Sequence, residues 1–438
     1  MNNTQHGGVS RRGFLGLAGA AIAAPALAAC NVSGNSGATK AGGGGGTLKF
    51  WDMPWGTPAY NDLGKKIITD YTGSTKASYQ IIQWNGFYQT FSSAIASKTG
   101  PAVSSGAGFQ AFQFADQGQI AYADNFIESL KKDGTYDDFL PGVLDTMKTD
   151  KGYAGVPWQT DVRPFWYNKA LLDQAGVSVP TSWDELLAAG KALKKIGASG
   201  FATGAGAGNN LGAHTMVAMM VNNGGGLFDP DGKPDCVTDA NIQAMTFVRE
   251  LANEGIIDSG AVSYTADNLD AQWKNKKAGI GIHTPGLAAR AGTTGKDLHV
   301  MDPLKSSSGT VAGLFFVNNL MMYTNTPSQE ASEAFLKYYL GQIHTYWQSP
   351  VGVAVPVLKS IAKADYHAKD PNQVAIVDKW MPVCKTYAAK KTQSFAALAA
   401  VDGGQPLAQF AQAMLQGKTD PKAAITTLQQ GLESIVKR

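Results

Sequence analysis

The sequence predicts an α/β fold in which helices cover sheets of short strands, and three observations carry that expectation. Short runs rich in β-branched and aromatic residues alternate with longer segments that carry helix-start signals. About 390 residues follow a glycine-rich stretch that ends at Gly46, more than one compact core accommodates, so the body divides into two domains. No internal repeat and no heptad run competes with this reading.

In chain order, the first strand is Thr47-Leu48-Lys49-Phe50-Trp51, ending in the turn-like Asp52-Met53-Pro54-Trp55-Gly56. A second, Ser78-Tyr79-Gln80-Ile81-Ile82, runs into Gln83-Trp84-Asn85. Ser182 and Glu185 have capping-box spacing ahead of Leu186, Leu187, Leu193 and Ile196, which predicts a helix. Strands are expected at 278–282 and 312–317. Pro327 at a first helical position predicts a helix carrying Phe335, Leu336 and Tyr339. Asp420-Pro421 opens a last helix with Ile425, Leu428, Leu432 and Ile435 on one face.

The chain begins with an address. Arg11-Arg12-Gly13-Phe14-Leu15 precedes an apolar stretch that is too short and too rich in Ala and Gly for a membrane span, the form of a twin-arginine export signal over 1–29. Leu27-Ala28-Ala29-Cys30 resembles the lipobox of bacterial lipoproteins, in which Cys30 is lipidated; the alternative is an ordinary signal cut beside a chance cysteine. Residues 30–46 then form a flexible tether. Together these features place the body outside the cell, anchored by lipid to the outer face of a bacterial membrane. Without Arg11 and Arg12, the 37 Lys and Arg fall nearly level with the 34 Asp and Glu, which argues against a nucleic-acid partner. Cys236 and Cys384 either pair, as an oxidising compartment permits, or stay as two thiols; their spacing fits no zinc motif.

Residues 153–197, with Tyr167-Asn168-Lys169 and Thr181-Ser182-Trp183-Asp184-Glu185-Leu186, are similar to a segment of the extracellular solute-binding proteins of carbohydrate ABC importers. Thr99-Gly100-Pro101, Trp273 to Ile282, Glu333 to Tyr338 and Ser349 to Pro356 resemble further family motifs in the same order, over roughly 47–438. The resemblance implies two discontinuous α/β lobes joined by a multi-strand hinge, the type II periplasmic-binding-protein fold. Crossings would fall near 157–163, 311–316 and 350–356, giving one lobe of 47–160 with 311–349 and another of 161–310 with 350–438. It also implies a monomer that captures a sugar or oligosaccharide between the lobes by hinge closure and hands it to a membrane permease, with no cofactor and no metal.

A sugar presents C–H faces that pack on aromatic rings and hydroxyls that want fixed donors and acceptors. Loops pairing aromatics with Asp, Arg, Asn or Gln therefore supply the candidate ligand contacts: Asp52, Trp55, Trp84, Phe109, Gln110, Trp158, Asp161, Arg163 and His283. Each has a plainer reading. Trp55, Trp84 and Trp158 either face the cleft or pack; Asp161 and Arg163, two apart on one strand face, either hold ligand or pair with each other. Trp183 and Trp273, on helices, are expected in the core. The glycine-loosened 106–110 loop is no phosphate loop, because no Gly-Lys-Ser/Thr follows. A glycoside hydrolase could use Asp52 and Asp161 as its carboxylate pair, but no motif fixes such a pair and no nucleophile set appears. A polyol or peptide ligand stays open. Tyr338-Tyr339, a pair of the kind iron carriers use, falls inside an amphipathic helix and reads as packing.

Overall fold

The computed structural model describes residues 46–390 and 393–436; the export signal, Cys30 and most of the tether lie outside them. Ten strands position the site: β1 (Leu48–Asp52), β2 (Ala77–Ile81), β3 (Val103–Gly106), β4 (Val156–Val162), β5 (Phe165–Asn168), β6 (Ile280–Ile282), β7 (Leu298–Val300), β8 (Gly313–Met322), β9 (Val355–Pro356) and β10 (Cys384–Lys385). A seven-stranded sheet runs in the order β9-β4-β8-β3-β1-β2, with β10 also paired to β8. Its β1, β2 and β3 are parallel, whereas β8 is antiparallel to both β3 and β4. A second sheet, β6-β5-β7, is antiparallel throughout.

Two large apolar cores flank these sheets. Leu48, Phe50, Tyr60, Val103, Trp158, Leu320, Phe335 and Tyr339 belong to the first; Val162, Phe165, Trp183, Leu193, Met216, Phe247, Trp380, Leu398 and Leu432 belong to the second. The strands β4 and β8 run between them. Val156 packs in the first core and Val162 in the second, while β8 starts with Leu314 in the second and reaches Leu320 in the first. The stretch after 350 divides differently from the sequence expectation: Val351, Val353, Val357, Leu358 and Ile361 pack in the first core, and the chain contributes steadily to the second only from Ile376.

The register of β4 explains the composition of 155–168. Asn318 pairs with Gln159 but Asn319 pairs with Pro157, so Trp158 is the extra residue of a β-bulge. Pro157 lacks the N–H that an even ladder would use, which favours an irregularity at this point. The bulge turns Trp158 fully into the first core and lets the Gln159 side chain accept the Ala354 amide at 3.0 Å. Phe165 and Trp166 are both buried, in the second core and in a satellite cluster with Trp273 and Leu287.

The helix signals hold with two refinements. Ser182 caps the helix Trp183–Lys195 by accepting the Glu185 amide, but Glu185 reaches back to Thr181 rather than to the Ser182 amide, so only half of the capping box forms. The helix expected at Pro327 begins at Gln329, because Ser328 takes the cap and accepts the Ala331 amide. The last helix, Pro421–Val436, starts as expected and buries Ile425, Leu428 and Leu432. Trp183 and Trp273 are buried, as is Tyr339, whose hydroxyl lies 3.0 Å from that of Tyr346. Cys236 and Cys384 are free thiols, placed beside the backbone oxygens of Leu227 and Leu314 respectively.

Candidate functional site

The loops after β1, β2 and β3 and the strand β4 meet where the first core faces the second. Trp84, after β2, is 38% exposed, and its indole N–H donates to the Pro54 carbonyl at 3.0 Å. Trp55 and Phe87 meet it edge-on, at 4.8 and 5.4 Å between ring centroids. Such contacts hold the ring in place while part of it stays open to solvent. Trp55 is half-buried; its N–H is shared between Ser105 Oγ at 2.9 Å and Asp52 Oδ1 at 3.1 Å. Asn85, next to Trp84, faces the second side: a Cβ on Gly208 would lie 3.9 Å from Asn85 Oδ1.

Asp161 and Arg163 occupy one face of β4 and its continuation, and Arg163 Nη1 lies 2.5 Å from Asp161 Oδ1. Asp161 keeps partial solvent access, whereas Arg163 is buried, its guanidinium 4.8 Å over the Phe316 ring. Arg163 Nε donates to His214 Nδ1 at 3.1 Å, which puts the imidazole proton on Nε2, 3.2 Å from Asp402 Oδ1. Burial, reinforced by the Arg163 charge, lowers the His214 pKa and keeps the ring neutral. Burial works against the charge of Asp402, but hydrogen bonds from His214, Tyr387 and Tyr88 outweigh it and hold the carboxyl below its ordinary range.

The other sequence-derived candidates are engaged inside the protein. Asp52 is fully buried and accepts five donors: the Met53 amide, Trp55 Nε1 and Ser105 Oγ on one oxygen, and the Tyr60 and Tyr79 hydroxyls on the other. Phe109, 1% exposed, packs on Phe316 and Tyr387 in the second core. Gln110 is buried and accepts the Ala107 amide at 3.2 Å. Trp158 lies among Trp55, Tyr60, Tyr346 and Trp347. His283 is buried; its Nδ1 accepts Arg290 Nη2 and the Thr284 amide, each at 3.0 Å, and its Nε2 lies 3.0 Å from Asp270 Oδ1. Of the candidates, Trp55, Trp84 and Asp161 keep partial solvent access, Arg163 is buried and pairs with Asp161, and Asp52, Phe109, Gln110, Trp158 and His283 are engaged in packing and internal hydrogen bonds. Sequence reasoning did not connect Tyr88, His214, Tyr387 and Asp402, which lie far apart in the chain and meet only in the fold.

Asp52 gives a testable pH signature. Burial outweighs the hydrogen bonds from Ser105, Met53, Tyr60 and Tyr79 and pushes its pKa from the ordinary 3.8 up to about 6. The folded protein thus holds this proton more tightly than the unfolded chain. The resulting stabilisation is complete below pH ~4 and is lost as pH rises through ~6, about 3 kcal/mol in all. Denaturant unfolding from pH 4 to 7.5 should show this slope in the wild type but not in Asp52→Asn; equal slopes would contradict it.

The comparisons agree with this architecture. The family profile of bacterial extracellular solute-binding proteins matches residues 54–342. A crystal structure of a sugar transporter from Arthrobacter chlorophenolicus A6 with bound laminaribiose is 58% identical, covers 90% of this chain and 100% of its own, and superposes with a TM-score of 0.87. The diacetylchitobiose binding protein DasA of Streptomyces coelicolor is 23% identical over 94% of this chain and 95% of its own. Maltose-bound T. maritima MalE3, 18% identical with a TM-score of 0.75 over 89% of this chain and 99% of its own, shares the fold. These are proteins of binding, and the chain belongs to the bacterial extracellular solute-binding proteins.

Proposed function

We propose that this protein is the sugar-capturing component of an ABC importer and that it takes laminaribiose, or a disaccharide of that shape, between its two lobes. The observation that carries the reading is the likeness, at 58% identity over nearly the whole body, to a protein holding laminaribiose. The cleft chemistry supports it. Trp84 offers a ring face for the C–H surface of a pyranose, and the Asp161–Arg163 pair offers an acceptor and donors to its hydroxyls. Contacts made to both lobes favour the closed state, and the closed form presents the sugar to a membrane permease. The twin arginines and Cys30 support export and a lipid anchor, with the glycine tether keeping a monomeric body near that permease. The filled oxygens of Asp52 support capture without hydrolysis, since that carboxylate has no lone pair turned to a substrate.

A thermal-shift screen over mono- and disaccharides tests the assignment. Laminaribiose at about 100 times its Kd should stabilise the protein by about 2.7 kcal/mol, a rise in Tm of about 3 °C. A shift with polyols or peptides and none with any sugar would overturn it.

A further inference from the structure

Beside Trp84, side chains from separate stretches of the chain form one continuous polar path. It runs from Asp161 to Arg163, from Arg163 Nε to His214 Nδ1 at 3.1 Å, and from His214 Nε2 to Asp402 Oδ1 at 3.2 Å. The Tyr387 hydroxyl donates to the same Asp402 oxygen at 2.6 Å. The second oxygen of Asp402 accepts the Tyr88 hydroxyl at 3.2 Å. Tyr88 stands on the helix Phe87–Ala96, whose Phe87, Phe91 and Ile95 pack against the first sheet with Trp51. Asp402 ends the helix Ala396–Asp402, whose Leu398, Ala399 and Val401 belong to the second core. The Tyr88–Asp402 bond therefore ties one lobe to the other. The Tyr88 ring also lies against Gly403, where an added Cβ would come 2.5 Å from its Cδ2.

We propose that Tyr88 and Asp402 form a polar latch that holds the lobes closed, and that His214 and Arg163 couple this latch to Asp161 in the cleft. The latch deepens the reading of the cleft as a closing sugar site. Asp402 is suited to the task because His214 and Tyr387, both on its own side, satisfy one oxygen whether the cleft is open or shut. At Asp402 itself, opening frees the oxygen that Tyr88 covers, and water can replace that donor. One hydrogen bond to a charged acceptor is also the right size for a reversible device, since several in parallel would lock the ligand in. The link through His214 and Arg163 gives a ligand hydroxyl on Asp161 a route to the latch: any shift of Arg163 towards the ligand changes the orientation of His214, and with it the hold on Asp402.

Tyr88→Phe tests the latch because it keeps the ring on Gly403 and removes only the donor. The full chain is measured in two ways. Without ligand, small-angle scattering is expected to give a larger radius of gyration for Tyr88→Phe than for the wild type, at a Tm within a few degrees. With laminaribiose, stopped-flow dissociation is expected to be about tenfold faster, with association unchanged. Asp402→Asn should move both readouts in the same direction, and it serves if Tyr88→Phe folds poorly. Equal radii of gyration in the ligand-free proteins overturn the latch, as does an unchanged dissociation rate. If laminaribiose fails to bind the wild type, the sugar assignment falls, and the ligand-free scattering still decides the latch.

Discussion

Replacing Trp84 by alanine is expected to weaken laminaribiose binding about thirtyfold while lowering Tm by only a few degrees. A thirtyfold loss corresponds to about 2 kcal/mol, the ordinary size of an aromatic hot spot in a binding site. The Trp84 ring is tied by its N–H to the Pro54 carbonyl, and Trp55 and Phe87 grip it edge-on, yet it stays 38% exposed. A ring already held in place loses little entropy when a sugar lands on it. Its contacts with Trp55 and Phe87 and its bond to Pro54 also contribute to folding, so a fall in Tm of a few degrees accompanies the loss of affinity. Calorimetric titration of Trp84→Ala against the wild type, with Tm measured alongside, checks both halves. An unchanged Kd would remove Trp84 from the site; a large fall in Tm would make it a packing residue.

Trp158→Ala should do the opposite and destabilise the protein by about 3 to 5 kcal/mol, the range for truncating a buried aromatic. Trp158 has no exposed surface and touches four aromatic rings, from Trp55 at 5.6 Å to Trp347 at 6.3 Å. The bulge at Pro157 fixes its direction, so no rotation of the strand can refill the cavity. A secondary loss of sugar affinity is expected, because Trp55 rests on Trp158 on one side and on Trp84 on the other. Denaturant unfolding reads the main effect. A change below about 1 kcal/mol would contradict the packing described for β4.

Local signals in the sequence were informative wherever the physics is local. The caps at Ser182 and Asp420, the helical positions of Trp183 and Trp273, and the first strand follow from spacing and side-chain type within a few residues, whereas the strand expected at 312–317 runs on to Met322. Family resemblance suggested where the chain passes between the cores, which composition could not; β4 and β8 do run between them, whereas the stretch after 350 stays largely with the first. What stayed hidden depends on partners far along the chain. Asp52 reads as a free acid beside a tryptophan until Tyr79 and Ser105, 27 and 53 residues away, fill its oxygens. Phe109 reads as a loop aromatic until Tyr387 and Phe316 enclose it. His214 and Asp402, 188 residues apart, carry no shared motif, and only the folded chain places them in contact. The same limit explains 351–361: apolar residues announce burial but not which of two cores receives them.

Capture of a sugar beside Trp84 and Asp161 is open to isothermal titration of the wild-type protein with laminaribiose. Saturable one-to-one binding is expected, lost or strongly weakened in Trp84→Ala and Asp161→Ala. Absence of heat at any accessible laminaribiose concentration, or binding untouched by both substitutions, would contradict it.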